Sequence, residues 1–193
     1  MTRFAWVIAT YVSALAATTA FFIHPQKKLI WNASASAPTG LYRVEPTDHV
    51  DVTDLAVIMP PDDLASFMDE RRYLPKGLPL LKRVLALSGT KVCRHGKAIT
   101  AYDMVYGQAL DRDSRGRPLP VWQDCITIGK DQAFFMNWDS ADSFDSRYFG
   151  PLPFSTVVGR AIPVWTTDEP DPVAESFREP PPTGRESSFS PTE

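Results

Sequence analysis

The chain has no Gly-x-Ser-x-Gly elbow, no His-Glu-x-x-His pair and no glycine-rich phosphate loop, so common motif-borne routes to an activated serine, a zinc-bound water and a nucleotide are missing. Histidine is scarce: His24, His49 and His95 stand apart in polar or linker contexts without ligand spacing and read as surface or turn residues. No cationic excess exists, with 20 Lys and Arg against 23 Asp and Glu and a net charge of −3, which argues against nucleic acid as a partner. Ten glycines stand against eighteen prolines, a balance that favours extended segments and turns over a helical bundle. The stretch DRDSRG opens like a calcium loop with Asp111, Asp113 and Gly116, but position five is Arg115 and position twelve is Trp122, so the bidentate glutamate such a loop needs is lacking. Neither metal nor cofactor is expected. There are only two cysteines, Cys93 and Cys125; a disulfide in an oxidising compartment and two unpaired core thiols both stay open, because sequence does not place their Cα atoms.

What is present divides the 193 residues into three parts. Residues 4–23, FAWVIATYVSALAATTAFFI, carry no charge and match the roughly twenty residues that cross a bilayer as a helix. They read as a retained anchor, with a cleaved signal as the competing reading since Ala14-Leu15-Ala16 offers small residues at a cleavage spacing. Residues 1–28 are therefore anchor and linker. Residues 29–166 contain the strand-like runs GLYRVEP, DLAVIMP, LLKRVLAL, KAITAY, CITIG, QAFFMNW and TVVGRAIPVW, separated by turn residues, which predicts one mainly β domain. The one departure, PDDLASFMDERRYL at 61–74, has Leu64, Phe67 and Met68 at helical spacing and predicts a short surface helix. Residues 167–193 hold six prolines and few apolar side chains, too little to offset their ordering entropy, which predicts a disordered tail.

Three stretches carry the chemistry. In WNASASAPTGLYRV, residues 31–44, Ser36 precedes Ala37-Pro38, a pattern suited either to an ordinary turn or to a nucleophile on a fixed backbone. In LPLLKRVLAL, strand alternation places Leu80, Lys82, Val84 and Ala86 on one face. Lys82 is then a lone charge among apolar neighbours, where desolvation lowers an ammonium's pKa, unless it snorkels to water. A serine and a neutral lysine together make a nucleophile and its base without histidine. The third stretch, SFDSRYFGP at 143–151, packs Ser143, Asp145, Ser146 and Arg147 next to aromatics, as in a hydrogen-bonded network or a surface turn.

These three motifs, in this order after an N-terminal apolar segment, resemble the type I signal peptidases, membrane-bound serine/lysine endopeptidases. The spacing Ser36-Ala37-Pro38-Thr39-Gly40-Leu41-Tyr42 is similar to the TraF-type peptidases of conjugative transfer systems, whereas housekeeping leader peptidases place their proline three residues after the serine. LLKRVLALSG resembles the lysine motif, and SFDSRYFGP with VVGRAIPVW resembles the C-terminal motifs, so the likeness covers residues 5–165.

The resemblance implies a fold of coiled antiparallel β-sheets, with Ser36 as nucleophile and Lys82 as general base. It also implies that Ser34 and the Ser36 amide form the oxyanion site, that Ser143 contacts the lysine, and that Asp145 and Arg147 brace the site. The implied partners are a propilin or other membrane-bound precursor, the conjugative transfer apparatus and the lipid bilayer. The implied place is the bacterial inner membrane, single-pass, with the catalytic domain in the periplasm. TraF relatives mature pilin, in some systems with cyclisation. Two alternatives stand beside this: a general type I signal peptidase, and a non-enzymatic assembly component of a secretion channel.

Overall fold

A computed structural model of the protein describes residues 3–22 and 29–167. Helix α1 spans Arg3–Phe22. Threonine hydroxyls of the helix bond to its own backbone: Thr10 and Thr19 donate to the Trp6 and Leu15 carbonyls at 2.9 and 2.8 Å, the way a hydroxyl is satisfied without water. Among the described residues no helix is long and apolar enough to cross a membrane; the span expected over 4–23 ends at Ile23, outside the described residues, as do His24, the 24–28 linker and residues 168–193.

The remainder is mainly β, as expected. The strands are β1 Leu29–Asn32, β2 Gly40–Glu45, β3 Leu55–Ile58, β4 Leu80–Ala86, β5 Lys91–His95, β6 Ala98–Ala101, β7 Met104–Gln108, β8 Asp124–Thr127, β9 Gln132–Phe135, β10 Leu152–Pro153 and β11 Val157–Thr166. All pairings are antiparallel, in a seven-stranded sheet ordered β1-β2-β11-β3-β4-β9-β10 and a four-stranded sheet ordered β7-β6-β5-β8. The seven expected runs coincide with β2, β3, β4, β6, β8, β9 and β11. The expected helix is α2, Asp62–Glu70; it stops short of residue 74 because Arg72 adopts a left-handed φ of 57°, which helical backbone does not accommodate. Thr167, placed in the expected tail, still belongs to the fold, donating from its amide to the Thr39 carbonyl at 2.9 Å.

Strand β4 is the axis of the molecule and corrects the alternation argument. Six of its seven residues are buried, all but Arg83, because it is central in the sheet and covered on both faces. Leu80 and Val84 pack with Met68 of α2 and Phe135 of β9, while Leu81 packs on the opposite face with Tyr42, Val44 and Val57. A register shift between Val84 and Ala86 takes Ala86 off the face it was expected to share with Leu80 and Lys82. Leu85 and Ala86 instead join Ile99, Phe134 and Met136 in a third cluster that ties the two sheets together. Burying each such leucine contributes about 1.5–3 kcal/mol, so the strand that carries Lys82 is among the least movable backbone in the protein.

Candidate active site

Ser36 lies on the hairpin loop between β1 and β2, closed by the register pair Asn32 and Gly40. Tyr42 and Gly40 of the motif each have a local reason. The Pro38 carbonyl accepts from the Tyr42 hydroxyl at 2.7 Å. Gly40 has a φ of +153°, and a Cβ there would strike the Trp165 carbonyl of β11, so only glycine lets β2 and β11 approach this closely. From beneath, the Asn32 amide donates to the carbonyls of Ser34, Ala37 and Pro38 at 2.9, 2.9 and 3.0 Å, and its oxygen accepts from the Ser34 amide at 3.0 Å. The loop is thus held in a single shape by its own first strand.

Lys82 extends from β4 toward this loop and is 3% exposed. Its Nζ lies 3.2 Å from the Ser36 Oγ and 2.8 Å from the Ser143 Oγ. Burial pulls its pKa from 10.5 down to about 8, the Asp145 carboxylate pushing back up and the Arg147 guanidinium adding to the fall. The amine does not snorkel to water. An amine that titrates near neutrality at this separation from a hydroxyl can exchange a proton with it.

Asp145 and Arg147, 0% and 1% exposed, form a buried ion pair. Arg147 Nε and Nη2 each donate to a different Asp145 oxygen at 2.9 Å, the bidentate geometry that offsets much of the desolvation of both charges. Asp145 also caps the one-turn helix α3, Ser146–Phe149, by accepting from the Arg147 amide. Nη2 also reaches the carbonyls of Ser140 at 2.6 Å and Ser143 at 3.2 Å, and Nη1 those of Gln108 and Ala141, so the pair fixes the loop that presents the Ser143 hydroxyl.

Ser34 sits beside Ser36 in a state other than the one expected of an oxyanion donor. Its Oγ is 2.9 Å from the Ser36 Oγ and accepts from the Ser36 amide at 3.3 Å. The two groups named for the oxyanion site are thus bonded to each other here. Cys93 and Cys125, paired in register between β5 and β8, are joined as a disulfide, which resolves the open choice. They belong to the four-stranded sheet, apart from the strands that carry Ser36 and Lys82. Asp113, of the stretch that opens like a calcium loop, is saturated by protein donors: the Tyr73 hydroxyl, the Arg115 and Arg117 amides and Arg117 Nε. His49 pairs with Asp51 on the surface and His95 is exposed on β5.

Neither Asn32 nor a second asparagine of the site was anticipated. Asn137, following β9 and 3% exposed, donates from its side-chain amide to the carbonyls of Ser36 and Leu81. A lone asparagine in MNWDS reads as turn chemistry, and nothing local marks it. The site opens into a groove of about 960 Å³ lined by Ile30, Ala33, Leu80 and Phe144 beside Ser34, Ser36, Lys82 and Ser143.

The family described as signal peptidase, peptidase S26, matches residues 1–166. The chain is 36% identical over 149 residues to the conjugal transfer protein TraF of Agrobacterium fabrum, covering 71% of this chain and 82% of that one. It is 33% identical over 147 residues to a plasmid transfer protein TraF of Escherichia coli, covering 70% and 81%. A signal peptidase I from Enterococcus faecalis aligns with a TM-score of 0.35 at 18% identity, over 58% of this chain and 97% of that one. With its match spanning 166 positions and its relatives aligned over most of their length, the chain belongs to the peptidase S26 family of signal peptidases, in its TraF branch.

Proposed function

We propose that the protein is a membrane-anchored serine endopeptidase of a conjugative transfer system that matures a pilin precursor through Ser36 and Lys82. The observation that carries the reading is the buried Lys82 amine, within hydrogen-bond reach of the Ser36 hydroxyl and fixed by Ser143. Ser36 attacks the scissile carbonyl while Lys82 takes the hydroxyl proton; the peptide C–N bond breaks, the proton passes to the leaving amine, and an acyl-enzyme remains. For the oxyanion, Ser34 turns its hydroxyl away from Ser36, freeing itself and the Ser36 amide as donors. The precursor lies extended in the groove against the outer edge of β1, whose other edge is taken by β2, a strand-addition mode of binding.

The conjugative role is carried over from the names of the TraF relatives. The anchor rests on the uncharged sequence run 4–23, which extends past the described end of α1 at Phe22, and on threonine hydroxyls bonded to the helix's own backbone. The disulfide suits a periplasmic domain on a bacterial inner membrane, because that compartment is oxidising; protection of the domain from protease in spheroplasts would overturn this placement.

Ser36→Ala and Lys82→Ala are each expected to leave uncut pilin precursor in mating cells, and normal maturation in either rules the reading out. Broad cleavage of ordinary secretory precursors by the purified protein would favour a general signal peptidase. Mass spectrometry of the mature pilin decides whether water or the pilin's own amino terminus resolves the acyl-enzyme, since ring closure leaves the product one water lighter.

A further inference from the structure

We infer that Asn137 is a positioning residue that sets the reach between the Ser36 loop and the Lys82 strand. This rests on the reading of Ser36 and Lys82 given above. The side chain touches both parties: Nδ2 donates to the carbonyl of Ser36 itself and to the carbonyl of Leu81 at 3.2 Å, and Oδ1 accepts from the Arg83 amide at 2.8 Å. Leu81 and Arg83 are the two residues flanking Lys82. One amide group therefore clamps β4 on either side of the amine and ties the nucleophile's backbone to the same point.

The chemistry requires an asparagine. A primary amide offers two donors and an acceptor in one plane, and all three functions are engaged. An aspartate of the same shape has no donor for the two carbonyls, and an alanine leaves them buried without partners. The loop's other brace, Asn32, bonds only within its own hairpin. It fixes the loop's shape, whereas Asn137 fixes where that shape sits relative to β4.

Asn137 is itself held from behind. Its amide donates to Asp145 Oδ2 at 3.1 Å and its carbonyl accepts from Arg147 Nη2 at 3.4 Å. The buried ion pair thus reaches the amine by two routes, through Ser143 to Nζ and through Asn137 to the backbone on both sides. The Ser36 carbonyl bond also limits rotation of the peptide next to the nucleophile, and so the direction of the Ser36 hydroxyl.

A group that only aligns reacting atoms acts on turnover and not on binding, because the groove walls that hold the precursor are untouched. The test uses full-length protein in detergent, with pilin precursor as the substrate, and compares each protein at a pH where its own rate no longer rises, so that altered Lys82 protonation does not mimic misplacement. Asn137→Asp and Asn137→Ala are each expected to lower kcat roughly a hundredfold with KM changed less than about twofold. Folding is checked for each variant by thermal unfolding, and if Asn137→Asp does not fold, Asn137→Ala is read in its place. A folded variant that keeps kcat within about threefold of wild type, or one whose whole loss lies in KM, overturns the inference. So does failure of both variants to fold, which would make Asn137 a folding determinant. Ser36→Ala and Lys82→Ala run in parallel: cleavage surviving in them overturns the underlying reading, whereas an active wild type, two dead controls and an unaffected Asn137→Asp overturn only the role of Asn137.

Discussion

The Lys82 amine lies closer to the hydroxyl of Ser143, at 2.8 Å, than to that of Ser36, at 3.2 Å. The shorter contact is to the more buried partner, and the Ser143 carbonyl is bonded to Arg147 and its amide to the Ser140 carbonyl. Ser143 therefore fixes where the amine points, and Ser36 meets an amine already aimed. Ser143→Ala is expected to lower kcat about ten- to a hundredfold while KM holds, as read by steady-state cleavage of the pilin precursor.

The lowered pKa of Lys82 makes activity and stability depend on pH in linked ways. On the proposed mechanism cleavage needs the neutral amine, so kcat/KM is expected to rise with pH and level off above about 8. The unfolded chain's lysine titrates near 10.5 and the folded one near 8, so between these values the unfolded state holds more protons and stability climbs with pH. Below pH 8 the folded state carries the full penalty of a buried ammonium. Lys82→Met is thus expected to be inactive yet more stable than wild type by about 3 kcal/mol at neutral pH, with the gap closing between pH 8 and 10.5. Urea unfolding across that range checks it.

Arg147 shows the opposite balance. Its planar fork serves both Asp145 oxygens and several loop carbonyls, which a lysine's point charge does not reproduce. Arg147→Lys is expected to lose about 3 kcal/mol of stability together with activity, as measured by denaturant midpoint and turnover in parallel.

The disulfide separates stability from catalysis. Replacing Cys93 and Cys125 by serine opens a covalent loop with a sequence separation of 32 and is expected to cost about 3–4 kcal/mol by the loop-closure relation. It should leave kcat unchanged below the lowered Tm, because the bridge staples β5 to β8 and none of the strands bearing Ser36 or Lys82.

The strands β3, β4 and β9 were legible because burial on both faces writes itself into composition, and β2 and β6 because one buried face leaves an alternating pattern. The strands β1, β5 and β7 were not, since LIWN, KVCRH and MVYGQ are short or polar and exist through ladder bonds with better-marked neighbours. Ser36, Lys82, Ser143, Asp145 and Arg147 stood out because each sits in a local stretch whose residue types are individually odd. Asn137 did not, because its importance lies in bonds to residues 101 and 54 to 56 positions away, and sequence spacing carries no trace of them.

The last strand, β11, lies between β2 and β3, so the hairpin with the hydroxyl and the strand with the amine share a sheet only after the final segment has slotted in. Strand order thus makes the joining of the Ser36 hairpin to the Lys82 strand in one sheet depend on residues as late as Val157–Thr166.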